Sequence, residues 1–253
     1  MLERLPAYTN RRRAEAFGSA ADVYDRYRPR YPQSLVDALV SRDGIRTLDV
    51  GAGTGIASVQ LMEAGAEVLA VEPDPRMAAI AVGKGIRVEQ ATFEDWQPAG
   101  RTFDLVVFAQ SFHWVEPRRA LTKVASILGP GGRLALLSNR VTPVSPTRQV
   151  LDEAYAGLLD VSQRQAIDAA HDDGLTAIVE ELGFTIERHR VVERLHYATD
   201  DWVNMAFTFS NVLVLEPRAR AGLRSRLEER IGATGVDARK EGVAVIHTPQ
   251  ASA

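Results

Sequence analysis

The sequence predicts an α/β protein, with a mostly parallel sheet covered by helices on both faces. Three observations carry the prediction. Strand-like and helix-like pieces alternate at short intervals from about 45 to 138, the pattern of parallel strands joined by crossover helices. The run Phe103-Asp104-Leu105-Val106-Val107-Phe108-Ala109 is almost continuously apolar, as a central strand buried on both faces must be. The chain has 253 residues, 45% hydrophobic and 25% charged, enough for one domain of about 150 residues with about 100 of elaboration.

Taken in order, residues 1–40 are expected to be helical and separate from the sheet, with Phe17, Tyr24 and Tyr27 as anchors. Arg28-Pro29-Arg30-Tyr31-Pro32 interrupts them, because a proline disfavours the helical conformation of the residue before it. Thr47-Leu48-Asp49-Val50 is a short strand entering a glycine turn, and Ile56 to Ala64 a helix stopped by Gly65. Ala66 to Val71 is the second strand. Asp74 is the expected N-cap of the next helix, with Pro75 at its first position and Gly83 and Gly85 as stops. Ile86 to Ala91 is the third strand and Phe103 to Ala109 the fourth. From Pro117 to Leu128, apolar residues recur at Leu121, Val124, Ala125 and Leu128, a helical stripe. Gly129-Pro130-Gly131-Gly132 ends it before a fifth strand, Arg133 to Ser138. Residues 147–183 read as helices with an acidic surface. Then follow a strand over 184–198, a helix over 200–214, a basic helix over 216–231 and a last strand over 242–249; the late pair would close the sheet.

Bulk chemistry narrows the functions. A chain without cysteine has no thiolate nucleophile, disulfide, Cys-bound zinc or iron–sulfur cluster. A formal charge of −3 argues against a general nucleic-acid binder, which needs a basic excess to displace counterions. Arginine dominates the basic residues, with lysine only at Lys84, Lys123 and Lys240. Coding bias explains this, or recognition of phosphate or carboxylate. His171, His189, His196 and His247 form no ligand set, since 189 and 196 stand an odd number apart in a strand-like run and face opposite ways; no metal is expected. The first thirty residues, with Arg11, Arg12 and Arg13, offer no apolar stretch of signal-peptide length, and no window reads as a membrane span. The expectation is a cytoplasmic protein without a membrane partner.

The informative stretch is Leu48-Asp49-Val50-Gly51-Ala52-Gly53-Thr54-Gly55, an apolar strand feeding a G-x-G-x-G turn that opens a helix. Such a turn lets a ligand approach bare backbone, and amides at a helix start favour an electron-rich group. Glu72 ends the second strand, where a carboxylate can accept hydrogen bonds from both ribose hydroxyls. A nicotinamide dinucleotide would call for a third glycine where Ile56 stands. An adenine nucleoside without phosphates fits better.

These residues resemble the class I S-adenosylmethionine-dependent methyltransferases, whose first motif reads D-x-G-x-G-x-G with an acidic residue after the second strand. Ala91-Thr92-Phe93-Glu94 resembles that family's loop beside the adenine, Phe103 to Val107 its fourth-strand motif, and Gly129 to Leu134 the turn before its fifth strand. Tyr24-Asp25-Arg26-Tyr27-Arg28-Pro29 and Gln110-Ser111-Phe112-His113-Trp114 resemble the methyltransferase type 11 branch that includes trans-aconitate methyltransferase-like enzymes. The resemblance implies a Rossmann-like seven-stranded mixed sheet, mostly parallel with the last strand antiparallel. It implies one domain: a helical lid over 1–40, a cofactor-binding core over 41–140, a helical segment over 141–183, and closing strands over 184–253 whose insertion at 199–232 caps the substrate. It further implies S-adenosylmethionine as cofactor. Tyr24, Arg28, Asp49, Gly51, Ala52, Gly53, Gly55, Glu72, Pro73, Met77, Thr92, Phe93, Glu94 and Gln110 would form its site, Tyr24 and Arg28 at the methionine end and Gln110 beside the sulfur.

Methyl transfer from a sulfonium is an in-line displacement, in which the protein mainly aligns the nucleophile and excludes water. A carboxylic acid with a pKa of about 4 arrives ionised, whereas a phenol near about 10 benefits from a base. His113 follows the central strand at its carboxyl end, where open α/β sheets place ligands, and is the candidate base or positioning residue. Trp114, Arg140, Trp202 and Met205 are the further candidates for contact with substrate. Arg28 and Arg140 suit a carboxylate by bidentate hydrogen bonds. The expected acceptor is a small molecule methylated on a carboxylate, phenolic or enolic oxygen. Two alternatives stay open: a regulatory module that binds the nucleoside without turnover, and methylation of a macromolecule such as RNA, for which the basic excess over 218–240 is the argument.

Overall fold

A computed structural model describes residues 7–159, 178–179, 181 and 183–249. Seven strands form one sheet in the order β3-β2-β1-β4-β5-β7-β6. They are β1 (Arg46–Val50), β2 (Glu67–Val71), β3 (Arg87–Glu89), β4 (Phe103–Ala109), β5 (Leu128–Ser145), β6 (Phe184–Tyr197) and β7 (Val236–Pro249). Because β5 and β6 both pair antiparallel with β7, β7 alone opposes the other six. Crossover helices α4 (Ile56–Glu63), α5 (Pro75–Gly83) and α6 (Pro117–Ile127) follow three helices of the N-terminal segment, α1 (Arg11–Ala14), α2 (Ala21–Tyr27) and α3 (Gln33–Leu39). Beyond the sheet centre lie α7 (Arg148–Asp152), α8 (Thr199–Ala206), α9 (Ser210–Leu213) and α10 (Pro217–Ile231).

Side-chain caps mark where two of the crossover helices, α5 and α6, begin. Asp74 accepts from the Arg76 amide at 2.8 Å, with Pro75 locked in the first turn. Glu116 does the same for α6, taking the amides of Arg118 and Arg119 at 3.1 and 2.7 Å ahead of Pro117. Each cap satisfies amides that have no partner within the helix. The side chains of β4 alternate between two apolar layers. Val106 and Phe108 join Leu48, Val71, Leu121 and Leu134 on one face, and Leu105 and Val107 join Leu35, Leu61 and Ala135 on the other. A third core, around Trp202, Val203, Leu223 and Leu227, packs α8 and α10 on Leu151, Tyr155 and the start of β7.

Several expected boundaries move. β3 is only three residues. β5 begins at Leu128, before the glycines, and runs on to Ser145, so residues 141–145 are strand rather than the start of a helical segment. The reason is pairing: Arg140 to Ser145 lie against Glu241 to Asp237, and β7 starts at Val236 instead of 242 to meet them. Gly132 is required inside the strand, since a Cβ there would come 2.9 Å from the Phe103 carbonyl. The helix expected over 200–214 is two, split at Phe207 and Thr208. Of the acidic helical stretch, α7 is described, while Arg164 and His171 lie outside the described residues. Among the described residues, no helix is long and apolar enough to cross a membrane.

Candidate functional site: a cavity at the carboxyl edge of the sheet

The glycine turn leaves β1 at Val50 and is tied to β2 through the amides of Gly51 and Ala52, which donate to the Val71 carbonyl at 2.8 and 3.2 Å. Gly51 has φ +66°, and a Cβ on it would lie 2.7 Å from Ser111 Cβ. Only glycine meets both demands. Glu72, 7% exposed, turns back over the loop. Its Oε2 accepts from the Gly53 amide at 2.7 Å and its Oε1 from the Asp74 amide at 2.9 Å. Burial pushes this carboxyl up to about 7, against the opposing pull of the two amides. Beneath the turn, Asp49 accepts from Ser58 Oγ at 2.6 Å, and burial raises it to about 6.

The turn opens into a cavity of about 1620 Å³, larger than the roughly 300–1,000 Å³ of a single-ligand pocket and so able to hold two molecules side by side. Of the residues expected to hold the cofactor, Tyr24, Arg28, Gly51, Ala52, Gly53, Glu72, Pro73, Met77, Thr92, Phe93, Glu94 and Gln110 all line it. Asp49 and Gly55 do not line it. Asp49 is fully buried under the turn, and Gly55 is needed for packing, since a Cβ there would meet Ile86 Cδ1 at 2.2 Å. Thr92 turns its hydroxyl to Asp95 at 2.7 Å. Phe93 stands edge-on to Phe108 at 5.4 Å, a core side chain with one face to the cavity.

All five expected substrate residues, His113, Trp114, Arg140, Trp202 and Met205, also line the cavity. Trp202 and Met205 belong at the same time to the third core. Gln110 sits at φ +54°, a conformation uncommon outside glycine and concentrated at functional sites. Its Nε2 donates to the Asn139 carbonyl at 3.0 Å, bridging the end of β4 to the middle of β5. Asn139 in turn donates to the Pro29 and Arg30 carbonyls at 3.0 and 2.9 Å, which moors the N-terminal segment to the sheet edge. The rings of His113 and Trp114 lie 4.7 Å apart, and Trp114 meets Phe17 edge-on at 5.9 Å.

Sequence reasoning missed several residues here. Ser111 hydrogen-bonds the Val50 carbonyl and sets the space that Gly51 must leave. Lys84 bridges Asp25 of α2 and the Thr54 carbonyl of the glycine turn. Arg13 lines the cavity with Phe209 and Ser210, from which it stands nearly two hundred positions away in the chain. A polar residue following a buried strand was a signal for Ser111; nothing local marks the others.

The acceptor set fits a nucleoside. Each Glu72 oxygen keeps acceptor capacity beyond its one amide, Met77, Ala91 and Phe93 line the cavity beside it, and Gly51 and Gly53 present bare backbone to it. Residues 24–189 match the methyltransferase-domain family. An uncharacterized methyltransferase of Mycobacterium tuberculosis is 41% identical over 127 residues, which is 49% of this chain and 52% of that one; the chain thus spans about half the length of that curated relative. An uncharacterized methyltransferase of Schizosaccharomyces pombe is 26% identical across 82% of this chain and 84% of its own. In fold, the chain is similar to a structure named as a candidate type II methyltransferase of Anaeromyxobacter dehalogenans, with TM-score 0.56 and 22% identity over 88% of this chain and 98% of that one. It is also similar to a Haemonchus contortus phosphoethanolamine N-methyltransferase, with TM-score 0.53 and 16% identity over 98% and 61%. The chain therefore belongs to the methyltransferase-domain family, and its sheet is that of the class I S-adenosylmethionine-dependent methyltransferases.

Proposed function

We propose that this chain transfers the methyl group of S-adenosylmethionine to an oxygen of a small-molecule acceptor, a carboxylate or a phenolic or enolic hydroxyl. The observation that carries the reading is that Glu72, held against the Gly53 amide, shares one cavity with Gln110, His113 and Arg140. Glu72 is positioned to accept from the ribose hydroxyls, Met77 and Phe93 to flank the base, and Tyr24, Arg28 and Gln110 to surround the methionine end. When bound, the cofactor supplies an activated methyl and a neutral leaving group. His113 orients the acceptor or takes the proton of a hydroxyl acceptor; a carboxylate acceptor gives up no proton and needs only alignment. Residues 7–39 act as a lid on this edge, and 199–232 as the cap that shapes the acceptor end. The likeness of Tyr24 to Pro29 and of Gln110 to Trp114 to small-molecule enzymes supports the choice of acceptor.

Incubation with methyl-labelled cofactor and a metabolite extract tests the reading. Label recovered in the small-molecule fraction is the expected result, and label confined to RNA or protein would overturn it. A pH–rate profile of His113→Ala then separates its roles. Loss of the basic limb identifies a base, whereas an unchanged profile with raised KM leaves positioning.

A further inference from the structure

The loop after β3 is held from two sides, and its turn closes without the second hold. Thr92 makes it a single turn: its carbonyl accepts from the Trp96 amide at 2.9 Å, and its hydroxyl accepts from the Asp95 amide at 3.2 Å. Glu89 braces it from β3, accepting from Trp96 Nε1 at 2.6 Å and from the Arg101 fork at 2.6 and 2.9 Å. Arg101 Nε also donates to the Pro98 carbonyl at 2.7 Å. Lys123 of α6 is the second hold. Its ammonium donates to the carbonyls of Phe93 at 2.5 Å, Glu94 at 3.2 Å and Trp96, and lies 5.0 and 5.6 Å from the centres of the Phe93 and Trp96 rings. An ammonium has three donors and no acceptor. Here they go to the backbone of one loop, although Glu94 and Asp95 bring carboxylates near.

Lys123 itself does not line the cavity, whereas Ala91, Thr92, Phe93 and Glu94 do. The C=O and N–H of a trans peptide point opposite ways. The peptide that turns the Phe93 carbonyl to Lys123 therefore turns the Glu94 amide away from it, and that amide has no partner among the described residues. A cation on the carbonyl draws electron density from the peptide and strengthens its N–H as a donor, the polarisation that couples hydrogen bonds in a chain. Granted the cofactor reading above, on which this rests, the ribose lies at Glu72, at the end of β2, and the base extends toward neighbouring β3 and the loop after it. The base then offers that loop its edge remote from the sugar, where adenine carries N1, a ring nitrogen with a free lone pair. We propose that Lys123 is a positioning residue for base selection. It fixes and polarises the Glu94 amide, and so makes the site selective for a base with an acceptor at N1.

The test is calorimetric and needs no turnover. The protein is titrated with S-adenosylhomocysteine and with its 1-deaza analogue, in which a C–H replaces N1. The wild type binds the analogue at least about fivefold more weakly, the effect of leaving one donor unpaired. In Lys123→Met that ratio falls below about twofold, because the amide is no longer held or polarised. Lys123→Gln, which keeps a polar side chain without the charge, lowers it likewise and serves where Lys123→Met does not fold. Arg101→Gln releases the same loop from its other brace. It weakens both ligands together and leaves their ratio at the wild-type value, which is also what a merely structural role of Lys123 would produce. Equal binding of the two ligands by the wild type, a wild-type ratio in a folded Lys123→Met or Lys123→Gln, or a ratio lost equally in Arg101→Gln overturns the proposal. A wild-type protein that binds S-adenosylhomocysteine without preferring it to the analogue contradicts this inference alone. One that binds neither contradicts the cofactor reading.

Discussion

The two ends of the cavity are built in opposite ways. At the proposed nucleoside end, the turn between β1 and α4 and the loop after β2 supply mostly backbone, with Glu72 as the carboxylate held against the Gly53 amide, and all of it comes from a short stretch of chain. At the proposed acceptor end, side chains from the N-terminal segment, the middle of β5 and the 199–232 segment converge, with sequence separations of 180 and 197 at Arg28–Thr208 and Arg13–Ser210. Backbone and a single carboxylate suit a ligand that does not change. Side chains on separately packed pieces suit one that can differ from protein to protein, because substituting them leaves the sheet intact.

The sharpest way to break this contrast is at Glu72. Glu72→Ala removes the acceptors for the ribose and orphans two amides, and should weaken S-adenosylhomocysteine binding by at least about a hundredfold, since each hydrogen bond to a charged group is worth about 1.5–3 kcal/mol. Calorimetry reads it directly, and a loss under about fivefold would remove Glu72 from the site. At the other end, Arg28→Ala deletes two hydrogen bonds to Thr208 and the contacts with the Tyr24 and Phe209 rings. It should lower stability by about 1–3 kcal/mol, seen as a lower urea midpoint at constant slope.

pH sharpens the comparison further, because Glu72 titrates at about 7 and Asp49 at about 6. Ionised Glu72 is the better acceptor, so nucleoside affinity should rise up to about tenfold per pH unit below 7 and level off above it. Glu72→Gln flattens that dependence. The sign for stability is the reverse. A carboxyl raised in the fold above its usual value near 4 to 4.5 holds more protons folded than unfolded, so these two groups favour the fold less as pH climbs from about 4 to 7. The smallest effect is expected at Lys84, which joins the N-terminal segment to the glycine turn from a partly exposed position. Lys84→Met should weaken nucleoside binding only about two- to threefold, within the range of such ion pairs. A tenfold change there would mean that the two ends are not independent.

The fold around the proposed nucleoside end was legible in the sequence because its signals are local. Asp74-Pro75 marks a helix start, Gly51 to Gly55 a glycine turn after β1, and β4 runs over the same Phe103–Ala109 that its apolar run indicates. The rest of the fold was legible only in part. Gly129 to Gly132 carry turn propensity, and they fall in the irregularity between the Phe103–Leu128 and Leu105–Arg133 pairs, yet pairing with β4 on both sides of them holds them within β5, and tertiary context overrides such preferences. The break between α8 and α9 depends on Thr208, whose hydroxyl returns to the Met205 carbonyl at 2.6 Å while accepting from Arg28, a competition with helical bonding that no periodicity displays. Arg13 and Ser210 carry no motif, and their meaning comes from the fold that joins them.

The most direct measurement of the central claim is calorimetric titration of S-adenosylhomocysteine into the wild-type protein and Glu72→Ala side by side at pH 8. The account predicts a one-to-one complex with micromolar Kd for the wild type and at least about a hundredfold weaker binding for a folded variant. No heat with the wild type, or equal affinity in both proteins, would contradict it.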